Sequence, residues 1–265
     1  MHLSIAHCSE AGKRESNQDF IGFCANEQMG CFMLADGAGG HAGGEQASRA
    51  VVSEALRAFQ AQPAARCMEA SWLITVARKA LSAARKRHPD CADMDTTVAA
   101  LLLNTEAAHA SWCQLGDSRI YLFRKGRAHK LSHDHSILQS MIDAGFLRVD
   151  LRTHNNRNAL YAAVGSADTP ATAVCEKPLA IMQGDAFLLC SDGFWGALPE
   201  ALMEEALVES KTPEAWLSNM RKHIQQFAQD KTDMDNFSAL AVWVGARIEA
   251  TRILNLSEQQ QANAA

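Results

Sequence analysis

Between Leu3 and Val244 the chain is mostly a succession of short apolar runs bounded by glycine or charged residues, and only in a few places does helical spacing replace them. That order constrains the fold more than anything else in the sequence. Leu3, Ile5 and His7 alternate with polar or small residues, and FIGFCA (20–25) and CFMLA (31–35) follow, predicting three early strands. Val52, Leu56 and Phe59 then fall at i, i+4, i+7, with Ala47, Val51 and Ala55 widening the stripe, so a helix is expected over 45–59. A second, over 69–87, carries Trp72, Val76, Ala80 and Ala84 on one face and must stop before Pro89, which disfavours helical geometry at His88. TVAALLL (97–103), HASWCQL (109–115) and RIYLF (119–123) return to strand character, and the Lys125-Gly126 turn leads to another strand ending at Leu131. Asp134 is expected to cap a helix bearing Ile137, Leu138, Met141 and Ile142, ended by a left-handed Gly145. Residues 146–166 follow neither period and read as a surface segment able to cover a site. AFLLC (186–190) is a strand, Pro199 and Pro213 open two helices, the second with Trp216, Met220, Ile224 and Phe227, and ALAVWV (239–244) closes the series. Because strict strand–helix alternation is absent, the order predicts layered sheets with helices outside: an α/β (α+β) sandwich in one domain over 1–250, with a polar tail over 251–265.

A hydrophobic fraction of 48% is ample for a sizeable core. The formal net charge of -5 comes without a long basic stretch, which argues against nucleic acid or a membrane surface as partners. A mildly acidic protein that handles phosphate must gather positive charge locally, from metal ions or a few arginines. MHLSIAHCSEAGKR lacks the basic and long apolar regions of a signal peptide, and no apolar run reaches the roughly 18 residues a membrane span needs, so a cytoplasmic protein is expected. The eight cysteines are scattered without a C-x-x-C pair and read as reduced core residues. Neither His133 with His135 nor His88 with Cys91 has a second matching pair for structural zinc.

The informative residues are aspartates at strand ends. Asp36 follows CFMLA, Asp117 follows HASWCQLG and Asp192 follows AFLLCS, while Asp19 and Asp235 precede strand-like runs. Each alone reads as turn chemistry. Together they are carboxylates held at sheet rims, and several can converge at low cost only around cations. Asp36-Gly37 and Asp192-Gly193 add glycines that admit a backbone carbonyl or a ligand, and Gly37 can itself be a ligand through its C=O. An all-oxygen set selects hard cations such as magnesium or manganese. Arg14, shortly before Asp19, supplies a planar guanidinium able to grip a phosphate with two hydrogen bonds.

GKRESNQDF, LADGAGGHAGGEQAS, DTTVAALLL, CQLGDSRIYLFRKG, LSHDHS, NALYAAVGS, LLCSDGFW and DNFSALAV, in that order, resemble the successive motifs of the metal-dependent protein phosphatases, type 2C, in their bacterial form, over about Gly12 to Val244. The resemblance implies two packed, mainly antiparallel β-sheets flanked by helices on both sides, with a binuclear Mn2+ or Mg2+ centre at one end. It implies that Asp36 bridges both metals, that the Gly37 carbonyl binds one and Asp192 the other, and that Asp235 completes the pair. Asp19 is expected near the metals through water, Asp117 at a third metal, and Arg14 on the substrate phosphate. The implied activity is hydrolysis of phosphoserine and phosphothreonine in proteins by a metal-activated water, reversing a cognate serine/threonine kinase. Residues 146–166 match the flap beside the catalytic groove, where Arg148, Arg152 and Arg157 either contact substrate or simply solvate a loop. One departure stands out: Ala38 occupies the place where some members carry a histidine thought to protonate the leaving oxygen, which leaves His41 as a weak candidate acid. His135 reads as a structural histidine.

Two other readings compete. His7-Cys8, five residues and Arg14 fit the H-C-x5-R pattern of cysteine-dependent phosphatases, which requires a helix after the loop to lower the thiol pKa; Glu15 to Ala25 lacks helical spacing. A catalytically inactive phosphoprotein-binding regulator is the other, and the intact aspartate set argues against it.

Overall fold

The computed structural model describes residues 1–38, 41–61, 70–154, 158–175, 177–229 and 231–245, without the side chains of residues 41, 42 and 171. Eleven strands run as β1 (Leu3–Glu10), β2 (Asp19–Ala25), β3 (Met29–Ala38), β4 (Asp95–Thr96), β5 (Val98–Asn104), β6 (His109–Leu115), β7 (Arg119–Arg124), β8 (Arg127–Lys130), β9 (Leu179–Ala180), β10 (Ala186–Cys190) and β11 (Phe237–Val244) among the described residues. The α-helices are α1 (His41–Ala61), α2 (Ser71–Arg87), α3 (Ile137–Asp143), α4 (Asp192–Ala197), α5 (Glu200–Glu209) and α6 (Pro213–Gln229).

The strands form two antiparallel sheets, one ordered β1-β11-β10-β7-β8 and the other β2-β3-β5-β6-β9, with β4 paired to β3. Both faces of the central strands are covered, which is why they read as continuous apolar runs rather than as an alternation with polar residues. Alternate side chains serve different layers. Phe32 and Leu34 of β3, Leu101 of β5, Phe187 and Leu189 of β10 and Leu240 of β11 fill the space between the sheets. Cys31 and Met33 of β3 instead meet Val51, Val52 and Ala55 of α1 and Leu73 and Ala77 of α2. On the far side, Leu188 of β10 and Trp243 of β11 pack under Trp195, Met203, Trp216 and Met220 of α4, α5 and α6. The expected sandwich, helices outside, is what the chain forms.

Several local expectations are revised. Ser136, not Asp134, caps α3: its Oγ accepts the Gln139 N–H at 3.2 Å, because Asp134 is committed to a buried ion pair. Gly145 does take the left-handed conformation, at φ 78°. Pro199 is the cap residue of α5 rather than its first helical position. Helix α1 extends to His41, and DGFWGA forms the short α4, which carries too few residues for its period to be read. The two-residue β4 and β9 are equally invisible to periodicity. Residues 155–157, including Arg157, Glu69, Cys67, the His41 side chain and the tail over 251–265 lie outside the description.

Candidate metal centre

The antiparallel pairing of β2 and β3 sets Asp19 directly opposite Asp36 at one end of its sheet. From the other sheet, β10 runs into Asp192 at the start of α4, and Asp235 stands just before β11. Asp117 sits in the β6–β7 connection, so the five predicted aspartates come from five separate stretches and meet at one end of the sandwich. A cavity of about 380 Å³ opens there, lined by Asp36, Gly37, Asp117, Asp192, Asp235 and Arg14. Asp19 lies behind it, buried, with Oδ2 accepting a hydrogen bond from Ser191 Oγ at 2.8 Å.

Both Asp-Gly pairs work as expected of glycine. A Cβ at Gly37 would collide with the Gly44 carbonyl of α1, and one at Gly193 with the Asn236 carbonyl, so each glycine lets a neighbouring backbone close around the cavity.

The electrostatics are those of uncompensated acids. Burial, opposed in part by hydrogen bonds from Ser238 and Ser191 and reinforced by the charges of Asp192 and Asp235, pushes Asp19 up to about 7. Burial and the charges of Asp19 and Asp192 hold Asp36 well above the carboxylate range, and burial with the charge of Asp192 does the same to Asp117. Arg14 is the cation among them: its Nη2 lies 3.0 Å from Asp235 Oδ2, with the guanidinium side chain half exposed.

These residues fit a hard divalent cation. The donors are all oxygen, the carboxylates repel one another, and Asp19 Oδ1 is buried without a hydrogen-bond partner. As they stand, no three His, Cys, Asp or Glu side chains among the described residues close onto one point, so the fit rests on donor chemistry and not on a finished coordination geometry.

Sequence reasoning missed the residues that hold this arrangement. Asn236 is the staple of the 11–18 loop: its Nδ2 donates to the Ala11 and Ser16 carbonyls, both at 2.9 Å, and its Oδ1 accepts the Gln18 N–H at 2.8 Å. Thr97 grips Asp36 twice, donating its N–H to the Asp36 carbonyl at 2.8 Å and accepting the Asp36 N–H on Oγ1 at 2.9 Å. Short polar side chains beside an acidic motif were the available signal, but which backbone groups they would meet is a tertiary fact.

Other candidates resolve differently. Arg152 faces inward, its Nη2 2.6 Å from Glu200 Oε2 and its Nε donating to the Trp195 carbonyl at 3.0 Å, whereas Arg148 is exposed. From the flap-like segment it is Asn158 and Leu160 that reach the cavity. His135 is the structural histidine expected: it is buried, Nδ1 accepts the Gly116 N–H at 3.3 Å, Nε2 lies 3.0 Å from Thr172 Oγ1, and burial with the neighbouring His133 lowers it to about 4. Cys8 lies within β1, burial raises its thiol to about 11, and the chain after Arg14 enters β2 rather than a helix. The cysteine-nucleophile reading therefore lacks both the helix N-terminus and the lowered pKa it needs.

Comparison with known proteins agrees with this fold. The chain is 31% identical over 208 residues to the serine/threonine phosphatase Stp of Listeria innocua, covering 75% of this chain and 80% of that protein. It is 29% identical over 176 residues to the serine/threonine protein phosphatase PstP of Mycobacterium tuberculosis, 66% of this chain but only 33% of that protein. The chain thus spans about a third of PstP. The crystal structure of the M. tuberculosis phosphatase PstP/Ppp superposes with a TM-score of 0.78 at 25% identity, covering 92% of this chain and 99% of that one. The catalytic domain of PstP in complex with two manganese ions does so with a TM-score of 0.74 at 25% identity, covering 92% and 98%. The family profile described as Protein phosphatase 2C matches residues 9–236, and with the sandwich and its acidic rim in place the chain belongs to that family.

Proposed function

We propose that this chain hydrolyses phosphoserine and phosphothreonine in proteins, using two Mn2+ or Mg2+ ions held by Asp36, the Gly37 carbonyl, Asp192 and Asp235. Asp19 acts on them largely through water, and Asp117 offers a third position. The observation that carries this reading is the gathering of carboxylates from five distant stretches around one cavity with Arg14 at its edge. The manganese-bound PstP domain, similar over 92% of this chain, supports the choice of ion. Bound there, the cations supply an activated water and offset phosphoryl charge.

The chain's own residues do the positioning. Arg14 presents its guanidinium from a loop fixed by Asn236, so it can bind phosphoryl oxygens when it releases Asp235. Thr97 and Ser191 fix the orientation of Asp36 and Asp19. Asn158 and Leu160 form the flap-side wall, where the groups flanking a phosphoresidue would lie. Ala38 offers no proton for the departing alkoxide, which leaves water or His41 to supply it.

Residues 1–250 are taken as one catalytic domain, with 146–166 as its flap and 251–265 as a tail. A cognate serine/threonine kinase is the natural partner for this chemistry. The described cysteines are free thiols, which suits a cytoplasmic site of action. Among the described residues, no helix is long and apolar enough to cross a membrane.

The test is hydrolysis of a phosphoserine peptide followed by phosphate release. A chelator should abolish it and Mn2+ should restore it; turnover that survives metal removal would overturn the proposal.

A further inference from the structure

Trp195 joins the flap to the rim of the cavity. Its Nε1 donates to the backbone carbonyl of Asp117 at 2.9 Å, its own carbonyl accepts from Arg152 Nε at 3.0 Å, and the Arg119 guanidinium lies over its ring, 3.4 Å from the centroid. The ring is buried, in the same short helix that begins with Asp192. Arg152 belongs to the 3-10 turn Leu151–Thr153 within the flap, and its remaining fork binds Glu200. A displacement of this flap turn therefore pulls on Trp195 directly, and the indole N–H of Trp195 is held on Asp117.

We infer that Trp195 is a positioning residue for Asp117, and that Arg152 transmits the placement of the flap to it. The inference rests on the proposed role of Asp117 as a third cation position. The indole N–H is the only polar hydrogen on that side chain, and buried donors and acceptors hold their partners in place because losing the bond leaves both unsatisfied. The β6–β7 connection carrying Asp117 is a short loop, so holding its carbonyl holds the backbone from which the carboxylate of the same residue projects. Arg119 contributes differently: its stacking orients the ring, and Phe at position 195 would keep that contact while deleting the N–H.

Spatial intermediacy alone does not establish coupling, so the test is a double-mutant cycle read on metal binding by the full-length protein. Mn2+ isotherms are measured by calorimetry for wild type, Asp117→Asn, Trp195→Phe, Arg152→Gln and the Trp195→Phe/Arg152→Gln pair. Asp117→Asn should remove the weakest site. Trp195→Phe should weaken that site about tenfold, the value of one buried hydrogen bond, with the tighter sites unchanged. Arg152→Gln should weaken it less, and the pair should be no worse than Trp195→Phe alone. In 15N spectra of the metal-free protein, the Trp195 indole resonance, assigned by its loss in Trp195→Phe, should shift in Arg152→Gln. Unchanged isotherms in both variants beside a changed one in Asp117→Asn would overturn the inference alone. An unchanged Asp117→Asn isotherm would overturn the reading of Asp117 and the inference with it. Additive effects in the pair would refute transmission through Trp195.

Discussion

Two acid-rich regions stand side by side in this fold and are built on opposite principles. At the rim, Asp19, Asp36 and Asp117 are pushed towards protonation by burial and by neighbouring carboxylates, Asp192 among them; the half-exposed Arg14 pairs with Asp235, and the Arg119 charge offsets only part of the rise at Asp117. One strand away, Asp134 is fully compensated: Arg119 binds it through Nε and Nη2 at 3.0 and 2.6 Å, and Lys130 Nζ is 3.5 Å off. The network continues from Arg119 Nη1 to Tyr121 Oη at 3.0 Å and from that hydroxyl to Glu200 at 2.8 Å. Unequal pairing separates the two: a region whose charges are satisfied internally supports the fold, while one whose charges are left uncompensated is reserved for something that arrives.

If that contrast holds, neutralising one acid in each region should have effects of opposite sign. Asp36→Asn should cost on the order of 10³-fold in kcat/KM on a phosphoserine peptide, by removing transition-state electrostatics. The same change should stabilise the metal-free protein. A carboxyl whose folded pKa is raised costs stability above its unfolded pKa, near 3.8, so the gain should be present at pH 7 and vanish towards pH 4 in urea titrations. Asp134→Asn should instead destabilise by about 3–5 kcal/mol, since it leaves Arg119 buried without its counter-charge. Equal signs in the two stability measurements would erase the distinction.

His135 gives a smaller effect on the satisfied side. Its folded pKa, lowered to about 4 from 6.5, means that the unfolded chain binds the proton first as pH falls. The neutral ring's contribution is complete above pH 6.5 and is lost towards pH 4, a slope of about 1.4 kcal/mol per unit at most. Subtracting the pH–stability curve of His135→Asn from that of wild type should leave this slope; a flat difference would mean that the ring tolerates its proton in place.

The sequence made the sandwich and the acidic rim legible for one reason: both depend on period and on strand ends. CFMLA and AFLLC are apolar at every position because both faces are covered; Asp192 follows the end of β10, while β3 runs on through Asp36 to Ala38, so the polarity change at Asp36 marks the rim and not the end of the strand. What stayed hidden depends on partners far away in the chain. Asp134 looked like a helix cap because only the fold shows Arg119 beside it, and Arg152 looked like a substrate arginine because its partner Glu200 is 48 residues on. The staple formed by Asn236 and the short α4 were illegible for the same reason: each is fixed by contacts across the sheets and not by local pattern.

The smallest expected effect concerns Cys8, which belongs to neither region. Its side chain packs against the core under α6, and desolvation of the thiol raises it to about 11, so almost no thiolate exists at neutral pH. A nucleophile there would need a helix N-terminus to recover reactivity; the nearby Arg221 charge offsets only part of the desolvation, and β1 continues past Cys8 to Glu10 without a helix. Cys8→Ser should therefore leave kcat/KM within about twofold while costing about 1 kcal/mol of stability from the buried hydroxyl. Loss of turnover in a Cys8→Ser protein that still unfolds cooperatively would move the chemistry from the acidic rim to the strand and reverse the assignment of the two regions.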